Sequence, residues 1–327
     1  MKKALTNFVP VATILLALSA QSINAGDKPF PHIVDALDAS WPEGFAIGTG
    51  FTAYNGSIDG SIYKVDLRSG EGEILVDPEP VFDPLFDCYK LGMRVDPRTN
   101  YLFVAGCFGG NAYVFDADSG NPLTSFQLAP VFSTIINDLT ITQDAVFFTD
   151  FFAPFIYRLP LSNNGGIPAN EDAAIAIPLT GDFAQDGFPV ANGIVATPDG
   201  KSLIIGHSGL SKIYRVDPTT GHADEIIVDP PLTGFLDGIV MHGRTLYIMN
   251  PAWEAVQVVE LDKEMITGEF VGIITDPNMN GVASGALFGK SLYVNNAHYD
   301  SVDEEGNYLY AERSITKLNR HAVEPVE

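Results

Sequence analysis

Short apolar runs broken by turn residues cover the chain from about Ile33 to its end, and one phrase among them recurs. It reads Ser61-Ile-Tyr-Lys-Val-Asp66, then Ala112-Tyr-Val-Phe-Asp116, Phe155-Ile-Tyr-Arg-Leu159 and Lys212-Ile-Tyr-Arg-Val-Asp217. Two looser copies follow, Ala255-Val-Gln-Val-Val-Glu260 and Ser314-Ile-Thr-Lys-Leu318. Aligned on Tyr63, Tyr113, Tyr157, Tyr214, Gln257 and Thr316, the copies stand about fifty residues apart, the length of a four-stranded propeller blade with its loop.

Each unit carries two further apolar runs upstream of the phrase. In the fourth they are Gly193-Ile-Val-Ala196 and Ser202-Leu-Ile-Ile205, joined by Thr197-Pro-Asp-Gly200, a turn in which Pro presets φ and Gly accepts a positive φ. His242-Gly243 and Gly289-Lys290 punctuate the fifth and sixth units in the same way. No segment holds a 3.6-residue apolar period over three turns, so the chain reads as all-β. Six units predict a six-bladed β-propeller. The last unit lacks an outer strand, which His32-Ile-Val-Asp-Ala-Leu37 would supply, closing the ring with an N-terminal strand and removing the edges of an open sheet. A β-sandwich is the competing all-β arrangement, but it has no need of six similar units.

The first 25 residues read differently. Lys2 and Lys3 precede an apolar stretch from Phe8 to Ala20, and Ile23-Asn24-Ala25 offers a small-residue cleavage site ahead of Gly26. This is the pattern of a secretory signal peptide, too short for the roughly 20 apolar residues of a membrane span. Residues 1–25 are thus expected to be a signal peptide and residues 26–327 a single propeller domain, secreted or periplasmic. The chain carries a net charge of −23, which speaks against nucleic acid or an anionic membrane surface as partner. The partner expected instead is a small-molecule substrate, bound by a monomer. Cys88 and Cys107 are the two cysteines, and in an oxidising compartment such a pair is a disulfide candidate.

Candidate chemistry sits just before the innermost strand of four units: Glu43, Asn137, Asn192 and Asp237. Equivalent positions on innermost strands converge on the propeller axis, so four oxygen donors from four blades would face one point. Two carboxylates and two amide oxygens suit a hard divalent cation, Ca²⁺ by donor type, and the absence of His and Cys there argues against zinc. The bland alternative is that Asn-Gly and Asp-Gly pairs are turn residues bonding their own backbone.

At these positions the sequence resembles the senescence marker protein (regucalcin)/gluconolactonase family. The resemblance rests on Pro42-Glu-Gly44, Asn137-Asp138, Asn192-Gly-Ile194 and Asp237-Gly-Ile239, and with the blade phrases it covers nearly the whole chain after residue 25. It implies a metal held by Glu43, Asn137, Asn192 and Asp237, with Asp237 also activating water or substrate, and an activity on lactones, esters or phosphotriesters. The sequence departs from sugar-lactone hydrolases in having Phe132-Ser-Thr-Ile-Ile136 where an Arg is usual, which points to a less polar substrate. Phe132, Phe151, Phe152, Phe183, Phe188 and Trp253 fall in loops or strand ends that would surround the mouth or pack between blades.

Second strands return to the same face, placing Asp150, His207, Asn250 and His298 near it; His207 is the candidate general acid or base. The same return brings Cys88 near Cys107. Asn55-Gly-Ser57 is an N-glycosylation sequon. No nucleophile elbow, phosphate loop or dinucleotide fingerprint is present. The expected activity is a metal-dependent lactonase or esterase. The alternatives are a non-catalytic binding or scaffold propeller with a structural ion and a strictosidine-synthase-like condensing enzyme.

Overall fold

The computed structural model describes residues 29–39, 41–81, 83, 87–183, 190–299 and 311–326. The expected signal peptide and Phe188 lie outside them. The described residues form strands, turns and irregular segments with no helix among them, and so none long and apolar enough to cross a membrane.

Of twenty-five strands among the described residues, twenty-four build six four-stranded antiparallel meanders, and the short β14 pairs in parallel with β18. Strand β1 (Ile33–Ala39) comes first. Blade one holds β2 (Pro42–Ile47), β3 (Thr52–Ser57), β4 (Ile62–Asp66) and β5 (Gly72–Val76). Blade two holds β6 (Met93–Asp96), β7 (Tyr101–Ala105), β8 (Asn111–Asp116) and β9 (Pro122–Gln127). Blade three holds β10 (Ile136–Ile141), β11 (Ala145–Asp150), β12 (Phe155–Pro160) and β13 (Ile175–Pro178), followed by the short β14 (Thr180–Gly181). Blade four holds β15 (Ala191–Ala196), β16 (Leu203–His207), β17 (Lys212–Val216) and β18 (His222–Asp229). Blade five holds β19 (Ile239–His242), β20 (Thr245–Asn250), β21 (Ala255–Leu261) and β22 (Thr267–Ile274). Blade six holds β23 (Val282–Phe288), β24 (Ser291–Asn296) and β25 (Ala311–Asn319), and β1 completes it by pairing antiparallel with β25. Blades four and five share one continuous sheet because their outer strands β18 and β22 pair in parallel.

All six repeat residues fall on third strands, including Gln257 on β21 and Thr316 on β25, where the Tyr is missing. The apolar pattern of the third strand, not its Tyr, is what the blade requires. Packing follows the ring. Six apolar clusters lie one between each pair of neighbouring blades; the one joining blade six to blade one contains Val34 and Ala36 of β1, Phe45 of β2 and Tyr293 of β24. With an apolar interface at every junction the ring is closed, as the sequence predicts.

Innermost strands approach too closely for side chains at certain points. A Cβ on Gly44 would overlap the carbonyl oxygen of Leu91 in the next blade, and one on Gly193 would overlap that of Asp237. The Glu-Gly, Asn-Gly and Asp-Gly pairs are therefore not turns: their glycines let adjacent blades touch at the axis.

Candidate functional site

The four oxygen donors meet. Glu43, Asn137, Asn192 and Asp237 all line one pocket of about 700 Å³, and the same four line a narrow cavity of about 10 Å³ that continues from it. That second cavity is bounded by residues from all six blades, among them Leu91 and Gly92 of blade two and Ala283 and Ser284 of blade six. It is the constriction of the central channel, and the quartet forms the floor of the wider pocket above it.

Local backbone irregularity aims these side chains. The pairing of innermost and second strands slips between Pro42 and Gly44, between Ile136 and Leu139, and between Ala191 and Ile194, that is, around Glu43, Asn137 and Asn192. Each slip frees a residue from the alternation of the pleat and turns it toward the axis. The three residues are second in their strands rather than just before them. Asp237 does precede β19; its N–H donates to the Met249 carbonyl (2.9 Å), and the N–H of Gly238 donates across the blade junction to Ala283 (2.9 Å).

The slip in blade three exposes a further acid to the channel. Asp138 lines the constriction, is buried, and accepts from the N–H groups of Leu139 (2.8 Å) and Ile194 (3.3 Å). The Arg94 guanidinium lies 3.6 Å from its Oδ2. Fully ionised, Glu43, Asp138 and Asp237 would set three negative charges against the single Arg94 guanidinium paired there among the described residues. Burial pushes Glu43 up to about 7, with Asp138 adding and a hydrogen bond from Tyr299 opposing. Burial, then the charges of Glu43 and Asp138, push Asp237 well above the carboxylate range. Asn192 is 2% exposed, and its Oδ1 has no hydrogen-bond partner among the described residues. Clustered acids short of counter-charge beside an orphaned amide oxygen are what a divalent cation would satisfy. The donor set thus fits a hard ion. It depends on amides, because no group of three or more His, Cys, Asp or Glu able to hold a metal occurs among the described residues.

Tyr299 is the functional-site residue that sequence reasoning missed. It lines the pocket, its hydroxyl donates to Glu43 Oε1 (2.5 Å), and its ring meets Trp41 edge-on at 5.7 Å. Its signal was its place one residue past His298, at a strand end already flagged as facing the site.

His207 is not brought to the pocket lining. It pairs across the sheet with Ala191 and so shares that residue's face rather than that of Asn192. Its ring packs on Phe183 at 5.3 Å and its Nδ1 accepts from the Leu210 N–H (3.3 Å). The other strand-end residues pin loops. Asp150 accepts from Thr134 Oγ1 (2.6 Å), Tyr157 Oη (2.9 Å) and the N–H of Phe152 (2.9 Å), holding the loop that leads into Asn137. Asn250 and Gln257 both donate to the Thr233 carbonyl (2.9 and 3.0 Å), in the loop that leads into Asp237. His298 takes a positive φ of 52° just ahead of Tyr299.

The cysteines form a disulfide, and both line the pocket wall. Phe151 lines the pocket; Phe132 and Phe152 lie outside it against Phe108; Trp253 stays partly exposed. Asn55 is buried in the middle of β3, where its Oδ1 accepts from Asn295 (3.3 Å), so the folded protein offers no glycosylation site there.

No protein-family model matches the sequence, and no curated protein matches it either. Solved structures do share the fold. A calcium-binding regucalcin from Agrobacterium tumefaciens superposes with a TM-score of 0.60 at 15% identity, covering 91% of this chain and 97% of that one. A gluconolactonase from Xanthomonas campestris gives a TM-score of 0.57 at 16% identity over 88% and 89% of the two chains. The major allergen Mala s 1 of Malassezia sympodialis gives 0.63 at 13% identity over 91% and 99%. At these identities the likeness establishes the fold: the chain is a β-propeller of the kind seen in regucalcin and gluconolactonase structures.

Proposed function

We propose that the chain is a divalent-cation-dependent hydrolase of lactones or esters, acting outside the cytoplasm, with its cation held by Glu43, Asn137, Asn192 and Asp237. The carrying observation is the convergence of those four oxygen donors where a pocket of about 700 Å³ narrows into the channel, with Asn192 Oδ1 buried and unpartnered among the described residues. Ca²⁺ suits the all-oxygen set, and the regucalcin and gluconolactonase folds support the lactonase assignment. The Cys88–Cys107 disulfide supports an oxidising compartment.

The cation supplies a positive charge against which a bound carbonyl oxygen polarises. The residues of the chain do the rest. Glu43 and Asp237 would balance the ion's charge, and Asn137 and Asn192 would add neutral oxygens without overcharging it, leaving positions for water and a substrate oxygen. Tyr299 holds Glu43 through Oε1, and Trp41 backs the Tyr299 ring. Asp237 would take on a carboxylate oxygen the proton of the water that adds to the carbonyl carbon, and return it to the departing alkoxide oxygen as the acyl C–O bond breaks. The apolar walls limit water to the floor.

The lining also favours a second reading, a binding propeller with a structural ion. Among the described residues no His, Ser or Lys lines the pocket, so no proton-transfer group stands apart from the proposed ligands and Asp87 except Tyr299. One experiment separates the two. The purified protein is analysed for bound metal, then assayed on lactone and aryl-ester panels before and after chelation, beside Asp237→Asn. Turnover lost on chelation, restored by Ca²⁺ and absent from a folded Asp237→Asn supports the hydrolase; an inert protein that loses only thermal stability on chelation refutes it.

A further inference from the structure

The walls of the pocket differ in chemistry from its floor. Above the quartet stand the aromatic rings of Trp41, Phe108, Phe151 and Phe235, with Ile58 and Ile135 beside them. Phe151 and Phe235 meet at a tilt of 49° with centroids 6.3 Å apart. Phe108 carries the apolar surface outward, because its ring also meets Phe132 at 6.4 Å and Phe152 at 6.1 Å. Phe132 is 72% exposed and held at a positive φ of 58°, an unfavourable conformation for a bulky residue, so the outer end of this aromatic run is kept open to solvent at a backbone cost.

Polar groups are confined to the floor and one side. The Tyr299 hydroxyl is committed to Glu43. Charged side chains in the lining are all acidic, Glu43, Asp87 and Asp237, and no Lys, Arg or His joins them among the described residues. Arg94 is engaged beneath the floor: Nη1 donates to the carbonyls of Met93 (2.7 Å) and Phe45 (3.3 Å), and Nη2 faces Asp138. A ligand rich in hydroxyls would bury donors and acceptors against walls whose described side chains are mostly apolar, Asp87 being the acid among them, a cost that falls on each unmatched group. An anionic ligand would meet acids of its own sign.

We infer that this pocket selects uncharged lactones or esters bearing an alkyl or aryl substituent, with one oxygen at the floor and the apolar part along Phe151, Phe235 and Phe108, and that it discriminates against polyhydroxylated sugar lactones. The inference deepens the hydrolase reading and rests on it for the word lactone, while the ligand class rests on the walls alone.

The test compares two neutral rings of one size, δ-decalactone and glucono-δ-lactone, for turnover. Their hydrolytically stable δ-lactam counterparts serve for calorimetric binding to the full, Ca²⁺-supplied protein. The alkyl lactam is expected to bind at least about 100-fold more tightly, the combined effect of several unmatched hydroxyls and a buried alkyl chain. Phe235→Ala is expected to weaken the alkyl lactam about tenfold and leave gluconolactam unchanged, with an unaltered circular dichroism spectrum. Equal affinity for the two lactams, or equal weakening of both by Phe235→Ala, overturns the inference even if both lactones are hydrolysed. Tight binding of the alkyl lactam with no turnover of any lactone refutes the hydrolase reading and upholds the ligand class.

Discussion

The acids at the channel floor make the stability of the cation-free protein depend on pH in a direction that can be worked out beforehand. Glu43 has an ordinary carboxyl value of 4.5 and is pushed to about 7 by burial. Below pH 4.5 it is protonated in both the folded and unfolded chain, and its contribution to stability is intact. As pH rises toward 7 the unfolded chain gives up the proton while the folded chain holds it, so stability is lost across that window and is gone above it. At about 1.4 kcal/mol per pH unit of difference, Glu43 alone accounts for about 3 kcal/mol. Asp237 is raised further by burial and by Glu43, and it extends the loss in the same direction. For a domain of this size such a loss corresponds to a fall in Tm of about 5–10 °C. A bound divalent cation replaces the protons, letting both acids ionise without penalty. The gap in Tm between Ca²⁺-supplied and metal-stripped protein is therefore expected to be small near about pH 5 and to widen toward about pH 8. Melting curves on protein stripped by gel filtration, recorded in one low-salt buffer series with and without Ca²⁺, measure it. A gap that stays flat with pH, or widens toward acid, would refute the clustering of these acids around a cation.

Further outcomes follow from single contacts. Gly193→Ala drives a Cβ into the Asp237 carbonyl, which cannot move without parting blades four and five; it is expected to cost about 3 kcal/mol in urea unfolding and to weaken Ca²⁺ binding measured by calorimetry. Asp150→Ala strands the buried hydroxyls of Tyr157 and Thr134 and should cost at least about 3 kcal/mol by the same unfolding assay, with Asp150→Asn recovering part of it. Reducing the Cys88–Cys107 bridge, which spans 19 residues of chain, should cost about 3 kcal/mol and loosen the pocket wall, read as a lower Tm and weaker lactam binding. Tyr299→Phe removes the hydrogen bond that holds Glu43 down, so its carboxyl should rise further and the pH window of lost stability should move upward, which the same melting series detects.

Much of the architecture was legible because a radial repeat writes itself into the sequence several times. Gln257 and Thr316 break the Tyr phrase yet sit on third strands like the others, since the flanking apolar positions carry the blade interfaces. The His32–Leu37 stretch was identifiable as a closing strand because the last unit was one strand short, and β1 occupies that place. The oxygen quartet was legible for the same reason: positions equivalent in a repeat are equivalent around an axis. Period alone could not show which neighbour shares the channel. Asp138 follows Asn137 and would point away in a regular strand; the slip between Ile136 and Leu139 lets both reach the constriction. His207 was a reasonable candidate on chain position and misplaced by one residue of register, because its partner across the ladder is Ala191 and not Asn192. Tyr299 lies beyond the last residue of β24, where no pattern sets direction, and only the turn at His298 aims it.

These particulars bear on how the site is held. No two of the four donors come from one blade, so their spacing is a property of the ring and not of any local turn. The glycines that follow Glu43, Asn192 and Asp237 allow close inter-blade contacts at the axis, and at Asp237 the junction is tied by the Gly238-to-Ala283 hydrogen bond. The polar ends of second strands then fix the loops entering Asn137 and Asp237 through Asp150 and Asn250. Ring closure by β1 and assembly of the oxygen quartet are consequently coupled: opening any blade junction lets the donors spread apart, and once pH rises far enough to ionise Glu43 and Asp237, repulsion among them and Asp138 pushes in that same direction. A cation held there as proposed would act against that spreading by bridging donors of four blades, and would thus contribute to the fold whether or not it also polarised a substrate.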